Sequence, residues 1–197
     1  MSIGLVALTS IVLYSVLVLA PVFLQEVQGR SAVLTGLVLL PQGLMMGAAS
    51  AAGNVILRNG KARPRLVPIS ITCGMMLLAV FTLGLATVER STSPWILSAL
   101  LCGRGIAIGL TTQPLVFSLL GRLPQAQQAD ANTMFTTTQR LAGSVGVALL
   151  TSYYAVQVRA THSAVIALHH TAVLLSVIAG LGIPAGLWLV RRSRRLT

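Results

Sequence analysis

The stretch Arg58-Asn59-Gly60-Lys61-Ala62-Arg63-Pro64-Arg65 lies between two long apolar runs and carries four positive charges. Glycine and proline so close together end a helix, and clustered Lys and Arg side chains are excluded from hydrocarbon. A hairpin therefore turns here in water. In a polytopic membrane protein, short loops rich in Lys and Arg stay on the cytoplasmic side, so this loop also indicates the orientation of the chain.

The composition is that of an integral membrane protein. Of the 197 residues, 55% are hydrophobic and only 9% are charged, and the mean hydropathy is +0.85. These values are too apolar for a soluble domain of this length, so the lipid bilayer is the expected surrounding. The formal charge of +11 does not predict a nucleic-acid partner, because the basic residues cluster in loops between apolar runs.

A membrane-spanning helix needs about 20 mostly apolar residues, and six segments meet that requirement. We predict an all-α, polytopic fold with residues 1–197 as a single six-helix bundle and spans at about 3–24, 31–57, 66–88, 94–120, 131–157 and 171–190. Six spans place both termini on one side. That side would hold nine Lys and Arg residues in loops and tail against three on the other, so both termini are predicted to be cytoplasmic, in the plasma membrane.

Polar side chains inside a bilayer are costly and usually face a bundle interior or a water-filled path. The first, second, fourth and fifth spans carry most of them, so we expect these spans to surround a polar path, with the third and sixth facing lipid. Five residues are candidates for that path: Gln42, Arg104, Gln113, Gln139 and Arg140. A structural role remains open for both arginines, as does interhelical hydrogen bonding for Gln42 and Gln113.

Groups that could carry protons or bind metals are predicted outside the membrane. The three acids, Glu26, Glu89 and Asp130, map to loops or helix ends, and the three histidines cluster around the last outer loop. We therefore predict no metal site and no evident intramembrane proton carrier. Ser144 lies near glycines, but nucleophilic catalysis would need a histidine within reach, so no enzyme activity is expected.

The glycines are spaced for helix packing. Three small-x-x-x-small patterns, which allow two helices to approach closely, are predicted to serve packing rather than ligand binding: Gly43 with Gly47, Gly105 with Gly109, and Gly182 with Gly186.

Four stretches resemble motifs of one family, and they occur in that family's order. They are Pro21–Ala32 (PVFLQEVQGRSA), Thr35–Gly43 (TGLVLLPQG), Arg104–Gly109 (RGIAIG) with Pro114, and Gln139–Ala148 (QRLAGSVGVA). The family is the major facilitator superfamily, and the likeness is to fourteen-helix drug:proton antiporters of the EmrB/QacA type. Nearly the whole chain is similar to the last six helices of such a transporter.

The basic hairpin also resembles the family's cytoplasmic loop motif, GxLxDRxGxR, through Gly53, Arg58, Gly60 and Arg63. Leu57 stands where the motif has aspartate, and one extra residue separates Gly60 from Arg63. The resemblance assigns that aspartate to a charge lock between helices. We therefore expect this hairpin to keep its topological role without the lock.

The resemblance implies the C-terminal half of a multidrug efflux transporter that exchanges amphipathic, often cationic, drugs for protons. It implies the proton motive force as the energy source, no cofactor, and coupling residues in an N-terminal half absent from this chain. The bundle would then need a second six- or eight-helix portion or a copy of itself. Two alternatives remain: a truncated, non-transporting fragment, favoured by the short sequence before the first span, and a membrane scaffold or partner subunit.

Overall fold

The computed structural model describes the backbone of residues 2–58, 66–120 and 124–194, and it contains six long helices. In chain order they are α1 (Ser2–Val22), α2 (Ala32–Arg58), α3 (Leu66–Gly84), α4 (Pro94–Leu120), α5 (Gln125–Thr161) and α6 (Ala164–Arg194). Each contains a stretch that is long and apolar enough to cross a membrane. The prediction of an all-α fold with six spanning helices is confirmed.

The last two helices extend further than the spans predicted from hydropathy. Helix α5 begins at Gln125 rather than at residue 131, and α6 begins at Ala164 rather than at residue 171. The residues added to α5, 125–130, are polar or small, whereas those added to α6, 164–170, are mostly apolar and end in two histidines. The predicted span thus omitted a polar extension in α5, whereas in α6 it omitted an apolar first part, since the apolar stretch of that helix begins at Ala164.

Helices α1 and α4 form the centre of the bundle. About half of the residues in their most apolar stretches are buried, at 50% and 56%, whereas only 17% are buried in the corresponding stretches of α2 and α5. Helix α2 packs mainly on α4, and α5 packs mainly on α1. Helices α3 and α6 pack on each other. In addition, α3 packs on α4 and α6 packs on α1. The two outer helices α2 and α5 therefore leave most of their surface uncovered.

Small residues mark the places where helices cross closely. A Cβ atom on Gly74 of α3 would overlap Thr111 of α4, and one on Gly182 of α6 would lie 2.6 Å from the terminal methyl of Met75. On α5, Gly143 faces the ring of Tyr14 in the same way. The packing role predicted for Gly182 is thus confirmed, while the surroundings of its pattern partner at position 186 lie outside the described residues.

Helix α1 changes its geometry near its outer end. Pro21 has no N–H group, so the helix cannot continue its regular hydrogen bonding there, and a π-helical turn follows over Phe23–Val27. The N–H of Gln28 then donates to the carbonyl of Phe23 at 3.1 Å. Gly29 ends the segment with a φ of +64°, a left-handed conformation that glycine adopts without a steric cost.

Side chains connect the helix ends on the predicted outer side. The Nε2 group of Gln28 donates to the carbonyl of Thr92 at 3.0 Å, and Nε2 of His169 lies 2.7 Å from the carbonyl oxygen of Val88. His170 Nδ1 lies 3.2 Å from the Oε1 atom of Gln157. Two of the three histidines thus hold different helix ends together.

Candidate functional site

Helices α2 and α4 are in close contact around Gln42, the first of the candidate residues. A Cβ atom on Gly105 would overlap the carbonyl oxygen of Gln42, and one on Gly109 would lie 2.8 Å from the carbonyl oxygen of Met46. The two backbones therefore touch along one turn of each helix. This contact confirms the packing role predicted for Gly105 and Gly109, and it buries Gln42, which is 4% exposed.

Arg104 lies at the junction of α1, α3 and α4, with no part of its side chain exposed. Its Nε atom donates to the hydroxyl of Thr82 on α3 at 3.1 Å, and its Nη2 atom donates to the carbonyl of Val12 on α1 at 3.0 Å. The side chain thus connects three helices. Because the side chain is fully enclosed, it does not reach the surface of the bundle.

The interior around Arg104 contains polar atoms that are not fully paired. No described acidic side chain forms an ion pair with Arg104, and its Nη1 atom is buried without a hydrogen-bond partner. The hydroxyl of Ser15 on α1 and Oε1 of Gln42 are also buried and unpartnered. Arg104 and Gln42 were both predicted as polar-path residues, and the structure places both inside the bundle rather than on its surface.

The residues that hold Arg104 were not predicted from the sequence. Thr82 lies on the third span, which was expected to face lipid, and Val12 contributes only a backbone carbonyl. Thr82 is one of two threonines in the mostly apolar α3, and together with a deeply placed arginine in α4 it was the available indication. Every residue has a backbone carbonyl, so the residue type does not indicate which carbonyl accepts a hydrogen bond from a side chain.

Helix α5 carries a line of polar side chains that the bundle does not cover. Residues spaced three and four apart share one face of a helix, and four polar residues with that spacing are all exposed: Thr133, Thr137, Arg140 and Ser144. We call these four residues the α5 polar stripe. The face of α5 that contacts α1 is different, since Gly143 and Gly146 meet Tyr14 and Ile11. An exposed apolar row lies beyond the stripe: Leu141, Val145 and Leu149.

The remaining candidates occupy intermediate positions. Gln113 lies near the predicted cytoplasmic end of α4, where its Cβ atom would be 3.6 Å from a Cβ atom on Gly53 of α2. Gln113 and Gln139 are both half-buried. Of the loop motif, Gly60 and Arg63 lie outside the described residues, as does the side chain of Arg58. The structure thus does not bring the five path candidates together into one cluster.

A small cavity lies among α1, α4 and α6, with a volume of about 20 Å³. All of its lining side chains are apolar: Val16, Leu19, Ala20, Phe23, Leu85, Leu97, Leu168, Ala172 and Leu175. Drug-sized ligands occupy pockets of about 300 Å³ or more, and a buried water needs polar partners. This cavity is therefore a dry packing defect rather than a substrate site.

The exposed surface of α2 is made of small and apolar residues. A Cβ atom added to Gly36, Gly43 or Gly47 would meet nothing within 4 Å. Between these glycines, large apolar side chains are also exposed, among them Leu37 and Leu44. The pattern Gly43 with Gly47 was predicted to pack helices, yet within the described bundle no helix covers it.

Comparison with known proteins identifies the family. Residues 2–147 match the Major Facilitator Superfamily. The chain is 31% identical over 159 residues to a multidrug resistance protein B homolog of Mycobacterium tuberculosis, which covers 80% of this chain and 28% of that protein. It is 28% identical over 135 residues to a tetracycline resistance determinant of Streptomyces rimosus, which covers 67% of this chain and 37% of that protein.

A puromycin resistance protein of Streptomyces alboniger is 29% identical over 149 residues, covering 74% of this chain and 29% of that protein. The chain thus spans between 28% and 37% of the length of these three relatives. The match to the superfamily extends over most of the chain and includes α1 to α4, with Arg104, and the first part of α5, with the α5 polar stripe. The chain therefore belongs to the major facilitator superfamily.

Proposed function

We propose that this chain is one half of a secondary active multidrug efflux transporter, corresponding to the C-terminal six helices of a fourteen-helix EmrB/QacA-type drug:proton antiporter. The observation that carries the proposal is the uncovered surface of α2 and α5, where only 17% of the residues in the most apolar stretches are buried. The names of the relatives, which refer to multidrug, tetracycline and puromycin resistance, support a drug as substrate.

A second bundle would cover the surface of α2. Small residues drive helix association in membranes because they let backbones approach closely, and Gly36, Gly43 and Gly47 face open space. The relatives are longer than this chain by enough to contain further helices. The second bundle would be a further six- or eight-helix portion or a copy of this chain, and the substrate path would run between the two bundles.

Proton coupling would depend on residues outside this bundle. Glu26 and Glu89 lie at the outer ends of helices, and Asp130 lies in the second turn of α5. No described acidic side chain lies in the middle of a span, where proton-carrying groups of transporters usually lie. The carboxylates that take up protons would belong to the second bundle, with the proton motive force as the only energy source.

Both termini are expected on the cytoplasmic side of the plasma membrane. A reporter enzyme that is active only in the cytoplasm, fused after Thr197, should be active, and one fused in the loop between α3 and α4 at Ser91 should be inactive. The reason is that most Lys and Arg residues lie in the loops on the side of the termini. The opposite activity pattern would contradict this orientation.

Drug-dependent proton movement tests the transport function. Everted vesicles from cells carrying the gene at its natural locus are energised, and the pH gradient is followed with a fluorescent weak base. Adding tetracycline or puromycin should release part of the gradient, because each exported drug molecule returns at least one proton. Vesicles from a matched deletion strain should show no drug response.

An equal response in both strains, or none in either, would contradict the transport proposal. A chain that reaches the membrane yet gives no drug response would then be the truncated fragment or the scaffold subunit considered above. A complex that dissociates when the chain is deleted, without any transport defect, would favour the scaffold.

A further inference from the structure

The α5 polar stripe contains a single charged residue, Arg140, at a depth where a charge in the membrane has a high free-energy cost. Helix α5 has 37 residues, so it is about 55 Å long. Arg140 is near its middle, fifteen residues after Gln125 and more than twenty before Thr161. A hydrocarbon core of about 30 Å centred on this helix would enclose it.

Arg140 has no partner among the described residues. Its side chain is exposed, and none of the described hydrogen bonds or ion pairs involves its guanidinium group. The residue differs in this from Arg104, which donates to Thr82 and Val12. Intramembrane arginines normally pair with an acid, a backbone carbonyl or a polar path. The missing partner of Arg140 must therefore come from outside the described part of this chain.

The neighbours of Arg140 suit a polar ligand. Ser144 lies one turn away on the same face, and its hydroxyl donates to the carbonyl of Arg140 at 2.9 Å. The hydroxyl oxygens of Ser144 and Thr137 remain able to accept hydrogen bonds. Leu141 and Val145 are exposed beside them. A cation flanked by hydroxyls and an apolar row matches a molecule that has one charged end and one apolar body.

The positive charge of Arg140 favours an anionic ligand over a cationic one. Asp130 is the nearest acidic residue along α5, ten residues before Arg140 and about 15 Å away along the helix axis, and Glu26 and Glu89 lie at the outer ends of the bundle. A cationic drug would be repelled by Arg140 at this depth, whereas a carboxylate would form a charge-assisted, bidentate hydrogen bond with the guanidinium.

We propose that Arg140 binds the anionic group of an amphipathic substrate, so that this half of the transporter selects anionic or zwitterionic compounds over purely cationic ones. The inference rests on the proposed transport function and differs from the cationic preference that the family resemblance implies.

The test uses two dyes that share a xanthene ring and differ in charge: fluorescein, an anion at neutral pH, and rhodamine 123, a cation. Binding to the purified full chain in a neutral detergent is followed by fluorescence anisotropy. Arg140→Gln should weaken fluorescein binding by about 10-fold or more, since a charged hydrogen bond is lost. Binding of rhodamine 123 should change by less than about 2-fold.

Two matched variants test whether dye binding depends on a positive charge at position 140. Arg140→Lys keeps the positive charge and should retain most of the fluorescein affinity. Arg159→Gln makes the same substitution at an exposed arginine near the other end of α5, outside the stripe, and should have a small effect on both dyes. Helicity and size-exclusion profiles of all variants should match those of the natural chain, because Arg140 and Arg159 are exposed.

Three outcomes for Arg140→Gln would overturn the proposal. The first is unchanged fluorescein binding, and the second is equal weakening of the binding of both dyes. The third is an unchanged preference between the two dyes together with loss of assembly with the second bundle. The last would show that Arg140 pairs with an acid of that bundle instead. Failure of the transport function is distinguishable, because it appears as a missing drug response in vesicles, whereas dye binding is measured on the purified chain.

Discussion

Replacing Arg104 with alanine should lower the free energy of unfolding by about 2–5 kcal/mol, the range for truncating a large, fully buried side chain. The substitution removes the two hydrogen bonds that join α4 to Thr82 and Val12. It also leaves a cavity at the junction of three helices. Unfolding of the purified chain in mixed micelles, titrated with a denaturing detergent and followed by tryptophan fluorescence, measures the change.

The matched control is Arg104→Met, which keeps much of the length of the side chain but removes its polar atoms. A buried charge without an acidic partner contributes little net stability, because its desolvation cost offsets its hydrogen bonds. The hydroxyl of Thr82 can then bond within α3, and the carbonyl of Val12 belongs to the hydrogen bonding of α1. We expect the methionine variant to lie within about 1.5 kcal/mol of the natural chain.

The two variants together decide the role of Arg104. If alanine is destabilising and methionine is not, the residue fills space between the helices. Equal and large losses in both would show that its hydrogen bonds hold the bundle together. A loss of less than about 1 kcal/mol in the alanine variant, within the range of an unremarkable substitution, would contradict the structural role and leave transport as the reason for the arginine.

The architecture of the bundle was predictable because apolar length and loop charge are properties of single segments. Six stretches of about 20 apolar residues specify six spans whatever their neighbours are. The predicted starts of α5 and α6 were wrong for different reasons. Helix α5 begins with the polar residues that follow Gln125, whereas the apolar start of α6 at Ala164 is followed closely by His169 and His170. Hydropathy reports preference for the membrane and does not report where hydrogen bonding stops.

The placement of the polar residues was less predictable, because burial depends on which faces meet. Arg104 and Arg140 lie at similar depths along their helices, yet one is enclosed and the other is exposed. The difference arises from their neighbours. Gly105 beside Arg104 faces the backbone of α2, whereas Arg140 lies outside the face that Gly143 and Gly146 turn to α1. A single sequence shows both glycine patterns without showing what each one faces.

Gly105→Ala should separate α2 from α4 and lower the free energy of unfolding by about 1–3 kcal/mol, the cost of overpacking a tight contact. The added methyl group would overlap the carbonyl oxygen of Gln42 and lie 3.2 Å from the amide nitrogen of Met46. Both are backbone atoms, so no side-chain rotation can relieve the overlap and the two helices must move apart. Alanine is also the better helix former by about 1 kcal/mol, which works against the loss.

The same substitution at Gly43 provides the control, because both glycines lie inside long helices of one bundle. A methyl group on Gly43 meets nothing within 4 Å, so the isolated chain should be unchanged or more stable by up to about 1 kcal/mol. If the second bundle covers α2 as proposed, Gly43→Ala should instead weaken the assembled transporter, seen as a lower recovery of the complex after purification. Destabilisation of the isolated chain by Gly43→Ala, or tolerance of Gly105→Ala, would contradict the assignment of these two glycines to different interfaces.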